Sequence, residues 1–238
     1  MQILLQITHY IPIFSTIISF AFGFILFRHW RQKPEAAYLF WWCLGVFLFG
    51  IGTLTEASNG FWGWNDFVLK TWYISGALMG GAPLAQGTVY LLLKKKTADI
   101  LAIMLTVYTA AASICVALSP VNQTANHFNL TGIGTLEWGW VRAFSPLSNT
   151  YALIFLVGGA IWSAAQYARK QGSRKRMWGN IWIALGALLP GIGGSFTRMG
   201  FTEVLFVTEF IGILLIWLGY YLVSKCEAPS IHLSQQAQ

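Results

Sequence analysis

Glu56 and Glu209 are carboxylates set in long apolar runs, and they are the residues of this sequence best placed to do chemistry. An ionised group at a bilayer centre costs about 2.5–3.5 kcal/mol on insertion scales, so such groups are paired, turned inward or used. Glu209 lies seven residues after Thr202, roughly 10 Å along a helix at about 1.5 Å per residue. It shares a helical stripe with Phe206, Gly212, Ile213 and Ile216, and that stripe is expected to face protein. Glu56 is expected to end the second apolar helix, with Asp66, Lys70, Arg198 and Glu203 at a similar depth. On the functional reading these residues line an outward-facing polar pocket with Glu209 deepest, as the ionisable or proton-binding contact. Lys70 or Arg198 then supplies the counter-charge. On the structural reading they are interfacial charges and one helix-to-helix hydrogen bond. Asp66 and Lys70 have the i to i+4 spacing, acid first, of a helical ion pair. Gln86, deeper in the third span, is expected to hydrogen-bond a neighbouring helix, with a polar ligand contact as the alternative.

These side chains need apolar helices to hold them. Of 238 residues, 56% are hydrophobic and 10% charged, against about 25% charged in an average soluble domain. So few charges cannot cover a water-soluble surface. Seven segments have about the 20 apolar residues that a crossing helix needs: Ile11 to Phe27, Tyr38 to Ala57, Phe67 to Leu93, Ile100 to Leu118, Leu147 to Ala168, Met177 to Phe196 and Thr202 to Val223. The expected fold is all-α, a single bundle of seven transmembrane helices over residues 1–226 with a short polar tail over 227–238. In the third span, Pro83 after Gly80-Gly81 is expected to kink the helix, or the helix tilts. Met1 to Tyr10 lacks the charge and cleavage pattern of a signal peptide, so the first span is expected to be retained.

The net charge of +7 follows the loops. Arg28, Arg31, Lys33, Lys94 to Lys96, Arg169, Lys170, Arg174 to Arg176 and Lys225 fall on one side, and only Lys70, Arg142 and Arg198 on the other. By the positive-inside rule the N-terminus is outside and the C-terminus cytoplasmic. This accounts for the basic balance without nucleic acid. The larger outer loop, from Ser119 to about Pro146, carries the sequons Asn122-Gln-Thr and Asn129-Leu-Thr. Trp62, Trp64, Trp72, Trp138 and Trp140 gather on the outer side, as an interfacial belt or as an aromatic mouth for an apolar or cationic ligand.

Span two contains Trp41-x2-Leu44-Gly45-x4-Gly50-Ile51-Gly52, and span six repeats it as Trp182-x2-Leu185-Gly186-x4-Gly191-Ile192-Gly193, an offset of 141 residues. Arg28 and Lys33 fall on Arg169 and Arg174 at the same offset. Spans one to three and five to seven then form parallel halves joined by span four (a 3+1+3 arrangement), unless two helices with one packing role have converged. Gly50, Gly52, Gly191 and Gly193 are expected at close helix contacts, as are Gly76 and Gly80.

No cofactor is indicated. Cys43, Cys115 and Cys226 are scattered, and His9, His29, His127 and His232 include no inward-facing pair for haem. Cys226 beside Lys225 has a position open to palmitoylation, with a free thiol the commoner case. Span seven has no central lysine for a retinal Schiff base, and no P-loop, HExxH, GxSxG or kinase motif is present. No enzyme is expected.

At Gly50-Ile-Gly-Thr-Leu-Thr-Glu56, Trp72-Tyr73-x2-Gly76-Ala77 and Gln86-Gly-Thr-Val-Tyr-Leu-Leu92 the sequence resembles a group of uncharacterised bacterial polytopic membrane proteins. More loosely, seven spans with an outer N-terminus resemble the seven-helix sensor modules of bacterial histidine kinases, from which this chain is expected to depart in having no output domain. The expectation is an integral protein of a bacterial cytoplasmic membrane that binds or transports an unknown small molecule. The rivals are a structural or assembly subunit held to a membrane partner, and a sensor that hands its signal to a separate protein.

Overall fold

The computed structural model describes residues 10–122, 135–170 and 174–225. His9, His127, His232, Cys226, the polar tail and most of both sequons lie outside the described residues. Among the described residues the chain is helical, with one isolated bridge between Val121 and Leu136. Helices α1 (Ile11–Gln32) and α2 (Ala37–Trp62) form a hairpin, followed by α3 (Asp66–Trp72), a π-helical turn (Tyr73–Leu78) and α4 (Ala82–Leu92). Next comes α5 (Lys95–Leu118), then a 3-10 turn (Gly139–Ala143) leading into α6 (Phe144–Ala152), a second π turn (Leu153–Gly158) and α7 (Gly159–Ala168). Helices α8 (Arg174–Arg198) and α9 (Thr202–Ser224) complete the bundle. Among the described residues six stretches, namely α1, α2, α5, Gly139–Ala168, α8 and α9, are long and apolar enough to cross a membrane. The chain is therefore read as an integral membrane protein.

The third span differs from the expected single helix. It breaks at Met79–Gly81, between the first π turn and α4. Pro83 sits in the first turn of α4, where its missing N–H breaks no ladder bond. The turn before it needs glycine, because a Cβ on Gly80 would lie 2.5 Å from the Gly76 carbonyl oxygen. Backbone exposed by a break inside a membrane must find new partners, and here Ser148 Oγ donates to the Leu78 carbonyl at 2.6 Å. Gly80→Ala is expected to lower stability by about 1–3 kcal/mol, the usual cost of forcing an extra carbon into a packed site. A denaturant titration in detergent checks this.

Contacts between neighbours close the bundle into a ring. α1 packs on α2 and α9, α2 on α4, α4 on the second π turn, that turn and α7 on α8, and α8 on α9. α5 stays outside the ring, against α4 and the first π turn. α8 and α9 meet most closely because glycines face glycines: a Cβ on Gly186 would lie 2.6 Å from the Gly212 carbonyl, and one on Gly219 would lie 2.5 Å from the Gly179 carbonyl. Without large side chains the two backbones approach directly. Pro190, inside α8, withholds the N–H that would ordinarily bond the Gly186 carbonyl.

The repeated glycines behave alike at two of three positions. Gly45 fits against Leu84 of span three and Gly186 against Ile216 of span seven. Gly52 fits against Gly76, and Gly193 against Leu205 and Thr208 of span seven. Gly50 meets Ser19, whereas Gly191 has nothing within 4 Å among the described residues and is no close-packing position there.

Helix α2 also runs further than Glu56. It continues to Trp62, since Ser58-Asn59-Gly60 does not end it, and stops where Gly63 takes a φ of +75°. Six more helical residues thus lie beyond Glu56, and its carboxyl is buried instead of terminal.

Candidate functional site

Glu56 is 3% exposed. Its Oε1 accepts a hydrogen bond from Trp72 Nε1 at 2.9 Å, across from α2 to the last residue of α3. Its carboxyl also comes within hydrogen-bonding reach of Glu209 on α9. Neither Glu56 Oε2 nor Glu209 Oε2 has a donor among the described residues, and both atoms are out of solvent contact. A buried acceptor left without a donor costs about 1–3 kcal/mol, so two such oxygens side by side call for an explanation. Glu209 as a whole residue is only half-buried, because its other side faces a cavity.

That cavity has a volume of about 410 Å³, within the range of small-molecule sites. Leu84, Leu156 and Ile216 supply apolar wall, Glu209 one acidic face, and Arg142 and Arg198 two cations. Arg142 comes from the 3-10 turn and is half-buried, while Arg198 ends α8 and is exposed. The turn after Arg198 is fixed by Gly200 at φ +97°, with Phe201 N bonded to the Phe196 carbonyl at 3.1 Å. This is the left-handed helix stop that favours glycine.

Irregular backbone surrounds the cavity on two sides. Gly76, Ala77, Gly80 and Gly81 of the broken span line it, and so do Leu153, Leu156 and Val157 of the second π turn. Tyr73 and Ser145 join these spans, with Ser145 Oγ donating to Tyr73 Oη at 3.1 Å. π turns cost regular hydrogen bonding and recur at functional sites. Broken helices in membranes are likewise confined to places where the backbone is covered by protein or faces a cavity.

The structure brings Glu56, Glu209 and Arg198 to this region and places Lys70 and Gln86 elsewhere. Lys70 Nζ donates to the Ala117 carbonyl at 2.8 Å, at the C-terminal end of α5, where a cation complements the helix dipole. Gln86 is fully buried; its Nε2 donates to the Ala98 carbonyl at 3.0 Å and its Oε1 accepts from Tyr151 Oη. It cross-links α4, α5 and α6. Gln86→Leu is expected to cost about 1–3 kcal/mol, the penalty of leaving buried polar partners unmade, with no change in the cavity. Thermal unfolding alongside a ligand-shift assay checks both halves.

Trp72 separates from the other tryptophans. It is 8% exposed and bonded to Glu56, whereas Trp62 is 82% exposed and Trp138 and Trp140 are 38% and 57% exposed. Sequence reasoning also passed over Arg142, Asn149 and Pro190 as wall residues. Pro190 carried a signal, since a proline inside an apolar span marks an opened ladder; Arg142, where a loop becomes a helix, and Asn149, inside α6, carried none.

No protein-family model matches the chain, and no curated protein and no solved structure matches it, so the cavity, its two arginines and its carboxyl pair are what a functional reading has to rest on.

Proposed function

We propose that this protein binds, and moves across the membrane, a small and largely apolar organic molecule bearing an anionic group. The carrying observation is the cavity between spans two, three, five, six and seven, in which apolar walls run from Arg142 and Arg198 to Glu209. Arginine pairs readily with carboxylate or phosphate, and the wall chemistry suits the hydrocarbon part. Glu209, backed by Glu56, is the ionisable contact and takes up or releases a proton as the ligand comes and goes.

Two features favour transport over static binding. Substrate sites of secondary transporters are commonly built from interrupted helices between repeated halves, and here the interrupted third span borders the cavity. The matching roles of Gly45 with Gly186 and of Gly52 with Gly193 favour parallel halves with span four as connector. The arginines then open to the outer face, on the orientation drawn from the basic loops.

The test is uptake by proteoliposomes loaded at one pH and diluted into another, using a panel of labelled organic acids. Uptake of one class, driven by the pH step and abolished in Glu209→Gln, is the expected result. Binding without uptake would reassign the protein to sensing, and neither would remove the reading.

A further inference from the structure

A second concavity lies at the opposite end of the bundle, between α1 and α9, with a volume of about 810 Å³. Its two walls have the same chemical gradient. On α1 the order is Ile25, then Arg28 and His29, then Gln32; on α9 it is Trp217, then Tyr220 and Tyr221, then Ser224 and Lys225. Both series follow the helical spacing of one face, so each runs about 10 Å from an apolar floor to a polar and cationic rim.

The floor is rigid. Trp217 stacks on Phe22 with ring centres 5.5 Å apart and planes 10° apart, and His29 Nδ1 and Tyr220 Oη are 2.6 Å apart, joining the two helices. Lys225 Nζ lies 4.5 Å from the centre of the Tyr221 ring. Among the described residues no acidic side chain lines the cleft. Ile25 and Tyr221 are 41% and 47% exposed, so the cleft opens sideways, where membrane lipid would lie.

We propose that this cleft holds an anionic phospholipid, with its phosphate between Arg28 and Lys225 and its glycerol and upper chain against Ile25, Tyr221 and Trp217. The charge is complementary, and basic pockets between spans on the cytoplasmic side are known to take such headgroups. The order of cation, aromatic ring and hydrocarbon down the cleft matches the order of phosphate, glycerol and acyl chain down a lipid. The inference is independent of the ligand cavity, which lies at the other end.

The test compares full-length protein with Arg28→Gln/Lys225→Gln and with Lys95→Gln/Lys96→Gln, which removes equal charge from exposed sites outside the cleft. Each is titrated in detergent with phosphatidylglycerol or phosphatidylcholine, and retained lipid is counted by native mass spectrometry. Wild type and the Lys95/Lys96 variant are expected to prefer phosphatidylglycerol, and the Arg28/Lys225 variant to lose about 30-fold in that preference, as expected for two cations near a phosphate. Equal retention of the two lipids by wild type would overturn the proposal. Equal loss in both double variants would reduce it to bulk surface charge, and so overturn it too. A third arm adds inorganic phosphate or glycerol phosphate: displacement of phosphatidylglycerol at millimolar concentration would assign the cleft to a soluble anion instead of a lipid.

Discussion

Glu56→Ala is expected to be the most damaging single change near the cavity, costing about 1–3 kcal/mol for a buried donor left without its acceptor, with a further loss for the space that the buried side chain leaves empty. The substitution leaves Trp72 Nε1 without its acceptor. Glu56→Gln is expected to stay within about 1 kcal/mol of wild type. Its amide oxygen still accepts from Trp72, and its amide nitrogen supplies the donor that the two carboxyl groups lack between them. The comparison of the two variants in a denaturant titration separates the hydrogen-bonding role from the space that the side chain fills. Equal losses would mean that the pair is merely packed there. Near-wild-type stability of the alanine variant would mean that the bond to Trp72 contributes nothing to the fold.

Gly186→Leu is the second large effect. The atoms that a side chain would meet include the Gly212 carbonyl at 2.6 Å and Ile216 N at 2.9 Å, both backbone of α9. Backbone cannot step aside as a flexible side chain can, so the helices must separate along their tightest seam. A loss above the usual 1–3 kcal/mol of overpacking is expected, read as failure to purify as a single species in detergent. Gly191→Ala is the matching control from the same repeated motif. With nothing within 4 Å of its Cβ position, it is expected to change stability by no more than about 0.5 kcal/mol. A mild Gly186→Leu would mean that the seam between α8 and α9 is looser than its geometry.

Helix positions were legible because apolar runs of membrane length leave few other solutions. The stripe of Phe206, Gly212, Ile213 and Ile216 is buried as its periodicity implied. What sequence could not resolve was local backbone. Gly80-Gly81-Pro83 reads equally as a kink or a break, and the break depends on Ser148, about 70 residues away, to satisfy Leu78. The two π turns have no signature in residue type. Glu56 and Glu209 were visible as costly groups, but their meeting depends on the ring closure that sets α2 and α9 on one cavity, a long-range fact. Lys70 looked like a counter-charge by depth alone; depth does not tell which way a side chain turns around its helix, and it turned to α5.

The most direct test of the central claim is thermal unfolding of purified wild type and of Arg142→Gln/Arg198→Gln in detergent, against a panel of small organic acids and their uncharged amides. A ligand that binds only the folded form raises the unfolding temperature in proportion to its occupancy. At least one acid is expected to stabilise wild type by several degrees at about 100 times its dissociation constant, where linkage gives about 2.7 kcal/mol. Its amide and the double variant are expected to show no shift. Contradiction would be a flat response to every acid, or equal stabilisation of wild type and the double variant.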